Sequence, residues 1–179
     1  LVSVTRQVLV NFSGELQRQA SAAFRAKDVP AFNAASQAML EIIRDTDTLL
    51  ATRREYLLGR WLEGAKSWGE NPQERARMEW NARRLLTLWG EVLPQEHRDY
   101  ARREWAGMLT GFYLVRWEKF FNALKPALQT GEFDERAFDR SLQDWENAWA
   151  GQQETYSVRP KGDSLKTAKQ LWEKYEPVL

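Results

Sequence analysis

Residues 32–49 read FNAASQAMLEIIRDTDTL. Phe32, Ala35, Met39, Ile42, Thr46 and Leu49 recur at alternating spacings of three and four, which winds them into one buried stripe of an α-helix. A strand needs alternation with period two, and no part of the chain sustains it. Asp28 and Pro30 mark this helix's start, since an aspartate accepts a free backbone N–H and proline suits the first turn.

The same period continues outward. Val8, Phe12, Leu16, Ala20 and Phe24 give a helix over 3–26. Thr52 followed by Glu55 has capping-box spacing and predicts a helix through Leu57, Trp61, Ala65 and Trp68. Asn71, Pro72 and Glu74 open the next, through Met78, Ala82, Leu85 and Trp89, with Gly90 ending it and a loop through Pro94. A long run over 96–129 carries Trp105, Met108, Phe112, Trp117, Phe120 and Leu124. Within it Gly107 and Gly111 mark close packing or a break, and Pro126 predicts a kink or an end. Asp134 caps a helix with Phe138, Leu142, Trp145 and Trp149. Asp163 caps the last, with Leu165, Ala168, Trp172 and Tyr175, after a loop-like 151–160 and an ordered turn at 159–163. The fold class is all-α: a single bundle over 1–179 of about seven mostly antiparallel helices with a Trp-rich core.

Composition narrows the chemistry. Lys and Arg number 26 against 25 Asp and Glu, a formal charge of +1. That is not the basic excess of a nucleic-acid binder. The arginine pairs 53–54, 83–84 and 102–103 sit among acids and read as solvated helix faces. With no cysteine and His97 the only histidine, neither a thiolate or histidine metal cluster nor a Ser-His triad can be assembled. No apolar run approaches the roughly 20 residues of a membrane span. The start at Leu1 rather than Met reads as an excised or processed piece. Carboxylates such as Glu79, Glu118, Asp144 and Glu146 are plentiful, and most read as solvated or capping. No catalytic residue, metal site or cofactor is assigned.

Nine tryptophans in 179 residues mean a large aromatic core, a stacking surface, or both. Trp61, Trp68, Trp105, Trp145 and Trp172 lie on apolar stripes and read as core, as do Trp80 and Trp117. Trp89 differs, because it closes its helix directly before Gly90. Its ring can lean inward or project over the helix end, and position alone leaves both readings open.

The segments YLLGRWLEGAKSW (56–68), EWNARRLLTLWG (79–90), DYARREWAGMLTGFY (99–113) and RW (116–117) resemble the C-terminal helical domain of the alpha-N-acetylglucosaminidases, a glycoside hydrolase family. TRQVL (5–9), RPKGDSL (159–165) and LWEKYEP (171–177) extend the resemblance over essentially the whole chain. It implies a parent enzyme whose (β/α)₈ barrel carries two catalytic glutamates, absent here. The implied reaction is retaining hydrolysis of a terminal α-linked N-acetylglucosamine, with carboxyl groups about 5–5.5 Å apart. The helical domain would pack on its own chain's barrel and wall one side of the pocket. Trp89 and Tyr100 would approach the sugar, with Arg83 and Asn81 supporting them. An extracytoplasmic location (secreted, periplasmic or lysosomal) is implied too. Two departures stand out. Glu91 follows Trp-Gly where the family commonly has proline, in a slightly longer loop to Asp99, and Val115 stands where many relatives have proline. The competing reading is a helical protein-interaction module with no enzymatic parent.

Overall fold

The computed structural model describes residues 1–89 and 98–178. Among them are seven α-helices: α1 Val2–Ala26, α2 Val29–Leu50, α3 Leu58–Lys66, α4 Pro72–Leu86, α5 Leu114–Thr130, α6 Glu135–Ala150 and α7 Ser164–Tyr175. Lys27 turns the chain in a left-handed conformation, and Asp28 caps α2 by accepting from Ala31 N–H. Asn71, Asp134 and Asp163 cap α4, α6 and α7 in the same way. The all-α bundle is the one the apolar period predicts.

Four helix boundaries and segments differ from the sequence reading. Thr52 does not open a helix, because its hydroxyl is engaged with Leu49 O and Ser164 Oγ. A short 3₁₀ turn follows, and α3 starts at Leu58 without a side-chain cap. The free N–H of Leu58 is satisfied by Ala106 O instead, across an isolated parallel bridge. The 96–129 run is not one helix. Its helical part begins at Met108 with a π-helical turn, Leu109–Tyr113, that leads into α5. Gly107 (φ 87°) makes the break, and Asp47 of α2 accepts the N–H groups of Gly107 and Thr110 at the new helix start. Gly111 marks close packing: a Cβ there would lie 2.8 Å from the Tyr156 hydroxyl. Pro126 lies inside α5, which continues to Thr130 and closes on left-handed Gly131. α5 also runs through Val115. Finally, α4 ends at Leu86, three residues before Trp89.

Burial falls into two clusters. The first joins α1, α2, α5 and α7 around Leu9, Leu16, Phe32, Ile42, Leu49 and Phe121. The second joins α3, α4, the π-turn and α6 around Leu58, Leu62, Leu86, Met108, Phe112 and Trp149, with Trp105, Trp145 and Tyr156 against it. Trp149 is the tryptophan sealed most deeply among the nine. Trp80, Trp105, Trp117 and Trp145 are half-buried. Trp68, 82 % exposed, and Trp172, 57 % exposed, are not core residues, and Trp61 is also partly open. An apolar stripe becomes core only where another element covers it, and α7 leaves part of its stripe open beside α1.

Candidate functional site

The end of α4 decides where Trp89 goes. Thr87 leaves helical geometry (φ −124°, ψ −80°) and donates its hydroxyl to Arg83 O. Leu88 is buried and holds the turn from inside. Trp89 then adopts φ 63°, and its N–H reaches back to Arg84 O at 2.7 Å. A left-handed residue just past a helix end is normally glycine. Tryptophan carries a Cβ there, at a cost of roughly 1–2 kcal/mol. The result throws the indole outward, 36 % exposed. The sequence reading had Trp89 closing the helix; it stands beyond the helix end.

Tyr100 arrives from the other direction. Asp99 is also left-handed, at φ 59°, and its N–H donates to Thr87 O at 2.7 Å. That single bond joins the two backbone segments. It brings the Trp89 and Tyr100 ring centroids to 5.0 Å, tilted by 56°, with Tyr100 72 % exposed. Gly90 to His97, including the expected loop through Pro94 and the lone histidine, lie outside the described residues.

Beneath the rings the interior is charged. Arg83 is completely buried and donates twice to Glu79 Oε1, at 3.0 and 2.7 Å, and once to Glu154 O at 2.9 Å. Its guanidinium lies over Trp149 (4.8 Å) and Tyr156 (5.5 Å). Arg84 is buried as well, donating to Asn147 Oδ1 and stacking over Trp80. The 83–84 pair is therefore not a solvated helix face, and neither is Glu79. The 53–54 and 102–103 pairs are exposed as read, but neither lies on an α-helix. Glu146, 1 % exposed, meets Arg98 Nε at 3.1 Å and Arg116 Nε at 3.2 Å. Burial pushes its carboxyl above the usual range; the two guanidinium groups oppose this. Arg116 continues to Asp99 (2.6 Å) and Arg98 to Asp139 (2.9 Å).

Of the four predicted residues, the fold brings Trp89 and Tyr100 together and places Arg83 inside the same helix end. Asn81 is not joined to them: it is exposed on α4, and its side chain makes no hydrogen bond among the described residues. Sequence reasoning missed Asp99, Arg98, Arg116 and Glu146. A signal existed for the last, since Glu146 falls at i+4 from Leu142 and i−3 from Trp149, on the apolar face of α6. No group of three or more His, Asp or Glu among the described residues is arranged to hold a metal. The buried carboxylates of Glu79 and Glu146 are both paired with arginines. What the surface offers is an aromatic corner of two partly open rings.

Residues 1–174 match the family described as the alpha-N-acetylglucosaminidase (NAGLU) C-terminal domain. The human alpha-N-acetylglucosaminidase is 31 % identical over 180 aligned positions, covering 99 % of this chain and 24 % of the human one. A family 89 glycoside hydrolase from Clostridium perfringens, solved with 2-acetamido-1,2-dideoxynojirimycin, superposes with a TM-score of 0.83 at 28 % identity. That match covers 97 % of this chain and 20 % of the clostridial one. The clostridial enzyme carrying two Glu→Gln changes, in complex with its substrate GlcNAc-α-1,4-galactose, superposes equally well at 26 % identity, covering 99 % and 21 %. The chain thus spans about a quarter of the human relative's length and a fifth of the clostridial one's.

Proposed function

The chain belongs to the alpha-N-acetylglucosaminidase family, glycoside hydrolase family 89, as its C-terminal helical domain, and from that premise we propose that it walls one side of a sugar pocket. The other side is a catalytic barrel of the same polypeptide, on which the helical domain packs. That barrel supplies two glutamates for retaining hydrolysis of a terminal α-linked N-acetylglucosamine. The helical domain supplies Trp89 and Tyr100 as an aromatic face for the sugar, with Arg83 holding the end of α4 from within. Alone it is inactive, for want of the acid/base and nucleophile. An extracytoplasmic location follows from the same membership; no described helix is long and apolar enough to cross a membrane.

The observation that carries this reading is the strained exposure of Trp89. A core tryptophan gains nothing from a left-handed backbone and an open ring. Backbone strain held at a surface aromatic is the pattern of a binding group kept in place by its surroundings. The apolar groove between α1 and α7, with Leu1, Val4, Leu165 and Trp172 open to its surface, is consistent with a domain that packs on a larger body.

The test is made in the full-length enzyme. Trp89→Ala should lower kcat/KM on an aryl α-N-acetylglucosaminide by about tenfold to a hundredfold, the worth of about 1.5–3 kcal/mol of buried aromatic contact. The melting temperature should move by no more than about 2 °C. A loss of activity that merely tracks a loss of folding would return Trp89 to the core.

A further inference from the structure

We infer that Glu146 is the positioning residue of the Trp89–Tyr100 face, acting through Arg116, Arg98 and Asp99 without touching the sugar. The inference rests on the reading above that the two rings meet the substrate.

Four observations converge on α6. First, Glu146 is 1 % exposed and spans two arginines from different parts of the chain: Oε1 lies 3.2 Å from Arg116 Nε, and Oε2 lies 3.1 Å from Arg98 Nε. A carboxylate this deeply buried is tolerated only when its charge is matched. Second, Glu146 ion-pairs at the Nε side of both guanidinium groups, while Nη1 of each donates to another carboxylate. Arg116 Nη1 donates to Asp99 Oδ2 at 2.6 Å, and Arg98 Nη1 donates to Asp139 Oδ1 at 2.9 Å. Third, Arg98 and Asp99 are the two residues directly before Tyr100. Asp99 holds a left-handed backbone, which aspartate tolerates, and its carboxylate is held there by Arg116. Ion pairing to the buried Glu146 keeps Arg116 beside Asp99, whose carboxylate it meets directly. Fourth, the neighbour of Glu146 reaches the other ring. Asn147 Oδ1 accepts from Arg84 Nη1 at 2.9 Å, and Arg84 O accepts the N–H of Trp89.

One turn of α6 therefore grips both halves of the aromatic corner. That turn is itself anchored by Trp145 and Trp149, whose rings lie 5.2 and 4.8 Å from Phe112. Glu146 sits too deep to contact a ligand at the rings, so its effect on catalysis can only pass through them.

The experiment uses the full-length enzyme and hydrolysis of an aryl α-N-acetylglucosaminide. Glu146→Gln keeps the shape and removes the charge; it should lower kcat/KM about tenfold, chiefly through KM. Added to a Trp89→Ala/Tyr100→Ala background, it should change kcat/KM by less than about twofold, because groups acting as a unit are not additive. Asp99→Asn leaves Glu146 in place and should behave likewise, which decides the matter if the Gln variant does not fold. The same fold-loss in both backgrounds would overturn the proposal, since the glutamate would then support the fold at large. So would an unchanged kcat/KM in Glu146→Gln where Trp89→Ala lowers it, for the rings would be self-positioned. If neither ring substitution lowers kcat/KM, the substrate-facing reading falls and takes this proposal with it.

Discussion

The cluster on α1, α2, α5 and α7 and the cluster on α3, α4 and α6 handle burial in opposite ways. In the first, the interior is aliphatic and phenyl. Of its buried hydroxyls, Ser36 and Thr46 answer to their own helix, donating to Asn33 O and Ile42 O, and the Tyr175 hydroxyl donates to Asp45. The second buries Glu79, Arg83, Arg84 and Glu146 among tryptophans. Hydrophobic burial is non-directional, so the first cluster holds helices together without fixing any one atom tightly. Buried ion pairs and stacked guanidinium groups are directional and penalise misplacement. The exposed aromatic corner sits on the second cluster, where position is specified.

The sharpest way to break that contrast is Arg83→Ala. It leaves Glu79 buried with only Lys66 nearby, at 3.8 Å, and abandons Glu154 O. Removing one partner of a buried pair costs about 3–5 kcal/mol, and urea unfolding should show it. A loss below about 1 kcal/mol would mean that the charged interior contributes no more than packing.

A smaller effect tests the seam between the clusters. Asp47 accepts Gly107 N–H, Thr110 N–H and the Thr110 hydroxyl on one oxygen. Asp47→Ala should cost about 1–3 kcal/mol by leaving those donors unanswered. Burial is the leading influence on this carboxyl and raises its pKa, outweighing the three hydrogen bonds that lower it. A raised folded-state pKa gives a stabilising contribution that is full below the ordinary aspartate value and is lost as pH rises through the folded one. Relative to Asp47→Asn, which cannot titrate, the native protein should lose stability as pH climbs through the window just above the ordinary aspartate range. A slope of the opposite sign would show that the hydrogen bonds prevail.

The smallest effect belongs to Trp68. At 82 % exposed, Trp68→Ala should move stability by no more than about 0.5 kcal/mol. A larger loss on thermal unfolding would restore it to the core.

The two clusters were unequally legible in the sequence. The stripe from Phe32 to Leu49 needs only helical period to be recognised, and α2 lies where it predicts. Arg83 with Glu79, four apart, looks like any solvated i, i+4 pair; only tertiary packing reveals that Trp149 and Tyr156 close over it. Gly107 could be suspected of breaking a helix. The acceptor that makes the break stable, Asp47, lies sixty residues away and leaves no local trace. Thr52 has the spacing of a capping box, yet its hydroxyl finds Leu49 O and Ser164 first. Trp68 and Trp172 fit apolar stripes that no described element fully covers. Trp89 was singled out by its place at a helix end and by motif resemblance, Tyr100 by resemblance alone. The geometry then added what the motif could not: two left-handed residues and a hydrogen bond that set the rings against one another.

That hydrogen bond, Thr87 O to Asp99 N–H, has an evolutionary corollary. It closes the neck of the connection between α4 and Tyr100: Tyr100 stands just outside the neck, and Trp89, two residues inside it, is tied back to α4 by its own N–H to Arg84 O. Sequence length between Trp89 and the neck's far side is thereby decoupled from ring placement, and each doubling of a connection's length costs only about 0.6 kcal/mol in closure entropy. Insertions and deletions there can be sampled while the corner persists. Connections of different length are thus compatible with rings 5.0 Å apart, and natural variation between relatives should concentrate in length at this point before it reaches either ring.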